Sequence, residues 1–186
     1  RKEGKFANSE FSFVWDDLET MRFEGVYDRI FFNHTVSHIA DRKALYHKFY
    51  EALAARGILT CTWGGYLFYD NMQPIFREFF GSCPELDKGL AKHKERADAW
   101  EQELRDVFQV VEKHAYIITL TFATAEEFLD YIVQVCKPVR EVLEVRRQEF
   151  LEYLRSKETL KNEQGEFEFT RDTFLFICRK GENKEE

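Results

Sequence analysis

The chain has 186 residues, 44% of them hydrophobic and 16% aromatic, with a formal net charge of −7. That length makes one domain or most of one, and nineteen Phe demand a packed interior. The acidic balance argues against a phosphate-tracking groove, and no run approaches the ~20 apolar residues of a membrane span, so neither nucleic acid nor a bilayer is the expected partner. The four cysteines, Cys61, Cys83, Cys136 and Cys178, form no C-x-x-C pair. They read as reduced, mostly buried thiols of a cytoplasmic protein.

Residues 1–10 are polar and read as a helix tail and turn. Residues 11–15, FSFVW, are the first apolar run and are predicted as a strand; they end in Asp16–Asp17 and then Leu18. The second run, 30–32, is introduced by Tyr27 and Asp28 and followed by Asn33 and His34. Leu45, Phe49, Ala52 and Leu53 then fall on one helical face. Asp41 suits the N-cap of this helix and Gly57 its C′ stop, which predicts a helix to Arg56. The third run, 58–63, ends in Gly64–Gly65, glycines that permit positive φ or close backbone approach. Strand, helix, strand at this spacing is a βαβ unit with neighbouring parallel strands. In open α/β sheets the loops at strand C-terminal ends carry ligands, which singles out the loops at Asp17 and at Asn33. His34 and His38 have a zinc-like spacing, but Thr35 stands where a metalloprotease has its Glu, and no metal is assigned. An imidazole can serve as a base, and His38 is a candidate for one facing a substrate.

Tyr66, Phe68, Tyr69 and Met72 lead into a helix over 74–80, and Tyr66 and Tyr69 are candidates for a pocket wall. Residues 81–84 break the chain, and 85–97 read as a charged, solvated face. A helix over 97–108 turns Trp100, Leu104 and Val107 inward. Residues 116–122 alternate as a half-buried strand, with Tyr116, Ile118, Leu120 and Phe122 on one face. Thr124 and Glu127 form a capping box; Pro138 punctuates the helix that follows, and a long helix runs on to about Arg155. Residues 173–178 are the closing strand.

Taken together, residues 5–65 resemble the second half of a class I S-adenosylmethionine-dependent methyltransferase of the small-molecule type. Asp17–Leu18 matches the acidic and apolar pair after that family's third strand. Tyr27–Asp28 matches its entry to the fourth, Asn33, His34 and His38 the polar segment that follows, and Arg56–Gly57–Ile58 its entry to the fifth. The resemblance implies a Rossmann-like three-layer α/β fold with an antiparallel final strand. It further implies S-adenosylmethionine as cofactor and a small-molecule acceptor. Asp17 would then meet the adenine amine and Leu18 its ring face. Phe32, Asn33 and His34 would hold the amino-acid part, and His38 would stand on the substrate side. Residues 66–160 would form a helical lid.

The family's Gly-rich loop and the acidic residue after its second strand have no counterpart here. The expectation is a chain that starts just before the family's third strand, with its sheet completed by an upstream segment or a partner chain. In that family residues 11–15 would not pair with 29–33, so these 186 residues are not expected to fold alone as a stable monomer. The alternatives are a non-catalytic relic or partner subunit that binds another chain, and another doubly wound enzyme that uses a dinucleotide.

Overall fold

The computed structural model describes residues 12–82 and 84–181. Among them β1 (Tyr27–Asn33), β2 (Leu53–Gly64), β3 (Val110–Phe122) and β4 (Phe167–Arg179) form one sheet in the order β1-β2-β4-β3. β1 and β2 are parallel neighbours joined by α1 (Arg42–Ala52). β4 runs antiparallel between β2 and β3, as the resemblance implies for a final strand. The remaining helices are α2 (Leu67–Phe80), α3 (Pro84–Val107), α4 (Ala125–Val135), α5 (Arg140–Val145) and α6 (Arg147–Arg155). The result is a mixed, Rossmann-like α/β sheet with helices on both sides.

Strand alternation divides the apolar residues between two cores. Leu59, Cys61 and Trp63 of β2, Phe32 of β1, and Phe174, Phe176 and Cys178 of β4 point to one face. There they bury Leu45, Tyr46 and Phe49 of α1 and Ala97, Trp100 and Leu104 of α3. β3 and β4 run on past the end of β2, and on this extension Phe167 and Phe169 point the other way. They pack with α2, α4, α5 and α6 through Met72, Phe76, Phe128, Leu129, Leu143 and Phe150. The helix starts are set locally. The Asp41 side chain accepts from the Ala44 amide at 2.9 Å. Thr124 Oγ1 accepts from the Glu127 amide, whose carboxylate accepts from the Ala123 amide, a reciprocal cap.

Five expectations need correction. Residues 12–15 join no strand, and Phe13 and Trp15 are 97% and 103% exposed; an apolar run becomes a strand only when a neighbour offers it a ladder. Phe11 and residues 1–10 lie outside the described residues. α1 ends at Ala52 rather than Arg56, because the chain then loops out of register opposite β1, where Leu53 pairs with Tyr27 and Ile58 with Arg29. Gly57 serves that loop by its size: a Cβ there would lie 2.9 Å from the Tyr27 carbonyl oxygen and from Leu53 Cδ2. The supposedly separate charged stretch and helix around 85–108 are one helix, α3, whose far half buries Ala97, Trp100 and Leu104. The long helix after Pro138 is two, broken at Arg146. Finally, Tyr116 and Ile118 are 53% and 42% exposed. They lie on the face opposite α1 and α3, which no helix among the described residues covers at that level, and on β1 Phe31 is exposed on the same face.

Candidate functional site

The C-terminal ends of the parallel strands lie side by side, with Asn33 in register with Thr62. Thr62 Oγ1 donates to Asn33 Oδ1 at 3.2 Å, and Thr35 Oγ1 donates to the Asn33 carbonyl at 2.8 Å. The His34 amide donates to the Thr62 carbonyl at 2.9 Å. To make that bond as the strand ends, His34 takes φ = 53°, a left-handed conformation that costs an L residue roughly 1–2 kcal/mol and concentrates at functional positions. A 3₁₀ turn, Val36–His38, follows. It buries Val36 and leaves His38 exposed, with the His38 amide on the Thr35 carbonyl. The Phe32 side chain is buried 5.4 Å from the Phe49 ring, so only its main chain belongs to this edge.

A second arm is the turn at 16–20. Asp17 is exposed and uses Oδ1 to accept from the Glu19 amide at 2.9 Å. Leu18 is half-buried against the α1–α3 core. Glu19 then reaches across, its Oε1 accepting from the amides of Ala40 at 3.0 Å and Asp41 at 2.9 Å, while Lys48 Nζ donates to the Glu19 carbonyl. This clamp ties the turn that carries Asp17 and Leu18 to Ala40 and Asp41, at the end of the loop that follows β1. Nothing in the sequence pattern marks Glu19; its role appears only when the two loops are seen together.

The third arm follows β2. The Gly65 amide donates to the Asp172 carbonyl at 3.1 Å, and the Leu67 amide donates to Asp172 Oδ1 at 2.8 Å, capping α2. The Asp172 carboxylate therefore lies over Gly65, where a Cβ would sit 2.1 Å from Oδ2. Of the two roles open to the glycine pair, close approach is the one used at Gly65. Tyr66 Oη donates to Asp98 Oδ1 at 2.5 Å. Burial pushes its phenol well above the usual range, and the Asp98 bond adds to this. Tyr69 is also raised, by burial. Both rings flank His93, with centroids 6.1 Å and 4.9 Å away. His93 Nε2 lies 3.1 Å from the Gly65 carbonyl; an oxygen without a proton requires Nε2–H here. Tyr66 and Tyr69 thus grip His93, a residue hidden in the sequence by its charged surroundings, while Asn33, His34 and His38 follow one another at and after the end of β1.

Among the described residues, no three His, Cys, Asp or Glu side chains converge closely enough for a metal. A cleft of about 400 Å³, lined by Asn71, Tyr153, Lys157 and Thr170 among others, shares no residue with these arms. No helix is long and apolar enough to cross a membrane.

No family model matches the sequence, and no curated protein matches it. Solved structures do align. A candidate methyltransferase from Bacillus halodurans aligns over 89% of this chain and 69% of its own, with 15% identity and a TM-score of 0.48. The YcgJ protein of Bacillus subtilis aligns over 89% and 70%, with 12% identity and a TM-score of 0.46. A segment named StiE O-MT aligns over 89% and 48%, with 15% identity and a TM-score of 0.34.

Proposed function

We propose that this chain belongs to an enzyme that transfers a methyl group from S-adenosylmethionine to a small-molecule acceptor. The Glu19 clamp supports this reading: it ties the turn bearing Asp17 and Leu18 to the end of the polar loop after β1, and in open α/β sheets the loops at strand C-terminal ends bind ligands. Asp17 keeps Oδ2 for the exocyclic amine of adenine, and the partly exposed side of Leu18 meets the ring. The Phe32 and Asn33 main chain and His34 hold the amino-acid end. In-line displacement at a sulfonium methyl needs alignment and exclusion of water more than covalent help. His38 stands where it can take a proton from the acceptor, and Tyr66 and Tyr69 border the acceptor side through His93. The outer edge of β1 and the bare sheet face support completion of the sheet by an upstream segment or a partner chain, since an open, apolar edge seeks a partner strand.

Titration calorimetry with S-adenosylhomocysteine tests the assignment. The complete protein, with its upstream segment, is the parent here and should bind, and Asp17→Ala should weaken binding about tenfold, the loss of one hydrogen bond to an exposed carboxylate. Absence of binding by the parent would overturn the reading. It would favour the relic or partner subunit, to which the half-buried Leu18 and the open β1 edge also lend support.

A further inference from the structure

The cleft of about 400 Å³ between α2, the end of α6 and β4 has main chain in its wall. Three consecutive β4 residues, Glu168, Phe169 and Thr170, line it. The buried Phe169 ring is turned into the core under α4, 5.5 Å from Phe68 and 5.7 Å from Phe128, so at this point the strand meets the cleft with its edge. β2 ends at Gly64, opposite Thr173, and leaves the start of β4 without a β2 neighbour. Alternation fixes which groups point to that side. In an extended strand the N–H and C=O of one residue share a side, and every second residue repeats it. The Asp172 carbonyl accepts from the Gly65 amide, and the Thr170 carbonyl accepts from Asn71 Nδ2 at 3.0 Å. The Thr170 amide and the Glu168 carbonyl therefore face the cleft, and among the described residues neither has a hydrogen-bond partner. Lys161 bridges to Phe167 on one side of this gap, and Asn71 takes the Thr170 carbonyl on the other. The open edge is thus too short for a peptide strand and long enough for one planar ring.

We propose that this cleft binds an uncharged aminopurine or its nucleoside, with the Glu168 carbonyl accepting from the exocyclic amine and the Thr170 amide donating to the ring nitrogen beside it. A donor and an acceptor side by side are what the pairing edge of such a base presents. Pro74 and Leu160 line the same cleft and give the ring faces apolar surface, and its volume suits a small organic ligand. Charge selects against a phosphate. Lys157 in the lining is already taken by Glu78, which also accepts from Tyr153 Oη at 2.9 Å. The exposed Glu168 carboxylate then leaves the cleft with an excess of negative charge, which opposes an anionic ligand. The cleft shares no residue with the arms at the strand ends, so this is a second site and stands independently of methyl transfer.

The test uses the complete protein, with its upstream segment, labelled with ¹⁵N-threonine and followed by NMR during titration with adenosine, inosine or adenosine monophosphate. The Thr170 amide signal, identified by its loss in Thr170→Ser, should shift saturably with adenosine. Inosine carries a carbonyl and a ring N–H where adenosine carries an amine and a bare ring nitrogen. It sets acceptor against acceptor and donor against donor, and should bind about tenfold more weakly or worse. Adenosine monophosphate should bind more weakly than adenosine, and Glu168→Gln should narrow that gap while leaving the Glu168 main chain in place. A Thr170 signal that ignores adenosine, or that answers inosine equally, overturns the site. Equal binding of adenosine and its monophosphate overturns the preference for an uncharged ligand.

Discussion

At the scale of single residues, Gly64 and Gly65 look alike in sequence and differ in what surrounds them. A methyl group on Gly65 would overlap the Asp172 carboxylate, whereas on Gly64 it would meet nothing closer than Arg171 Nη2 at 3.8 Å. Gly65→Ala should therefore destabilise the fold by about 1–3 kcal/mol, the cost of overpacking, while Gly64→Ala changes it little; urea unfolding of the two variants checks the contrast. The same comparison shows what sequence can and cannot disclose. A glycine pair after a strand announces a turn or a close approach, but which glycine is crowded depends on Asp172, more than a hundred residues away.

Among the elements, the βαβ unit was legible because the apolar runs, the N-cap Asp41 and the helical face of Leu45 and Phe49 all agree on it. The run at 12–15 was misread because alternation specifies faces, not neighbours. Its loop is instead secured by Glu19, whose carboxylate accepts two main-chain amides at the start of α1. Glu19→Gln keeps the acceptor atom and removes its charge. It should cost about 1 kcal/mol, since hydrogen bonds to charged groups exceed neutral ones by roughly that much. Limited proteolysis should then cut the segment at 12–26 faster than in the parent chain, and an unchanged cleavage rate would contradict the clamp.

For the whole molecule, carboxylates tie separate elements together. Burial pushes Glu101 of α3 up, yet hydrogen bonds from Lys113 of β3 and from Arg105 outweigh it and hold its carboxyl below the usual range. Arg179 lowers Glu112, joining β4 to β3, and Lys43 lowers Asp106, joining α1 to α3. A depressed folded value adds stability above the unfolded value and loses it as pH falls through the folded one. Melting temperature should therefore hold near neutrality and decline as pH drops below about 4.3, the ordinary glutamate value. Added salt should shallow the decline, because most of these pairs face solvent. A flat profile between pH 6 and pH 3 in thermal melts would show that these ties contribute nothing.

The antiparallel insertion of β4 also sets an order of events. Among the described residues β3 has no strand neighbour other than β4, and β2 meets the β3 half of the sheet through it. On a ribosome, β3 is made first, and α4, α5 and α6 must all emerge before the strand that will hold it. Until then Lys113 and Val111 have no β4 side chains to meet, and Trp63 waits for Phe176, onto whose ring it stacks at 4.0 Å. Closure of the sheet is a late, long-range event, of the kind that slows folding because loop entropy is lost before contacts return it. The nascent chain is therefore most exposed to misassociation during the interval between synthesis of β3 and arrival of Phe174, Phe176 and Cys178.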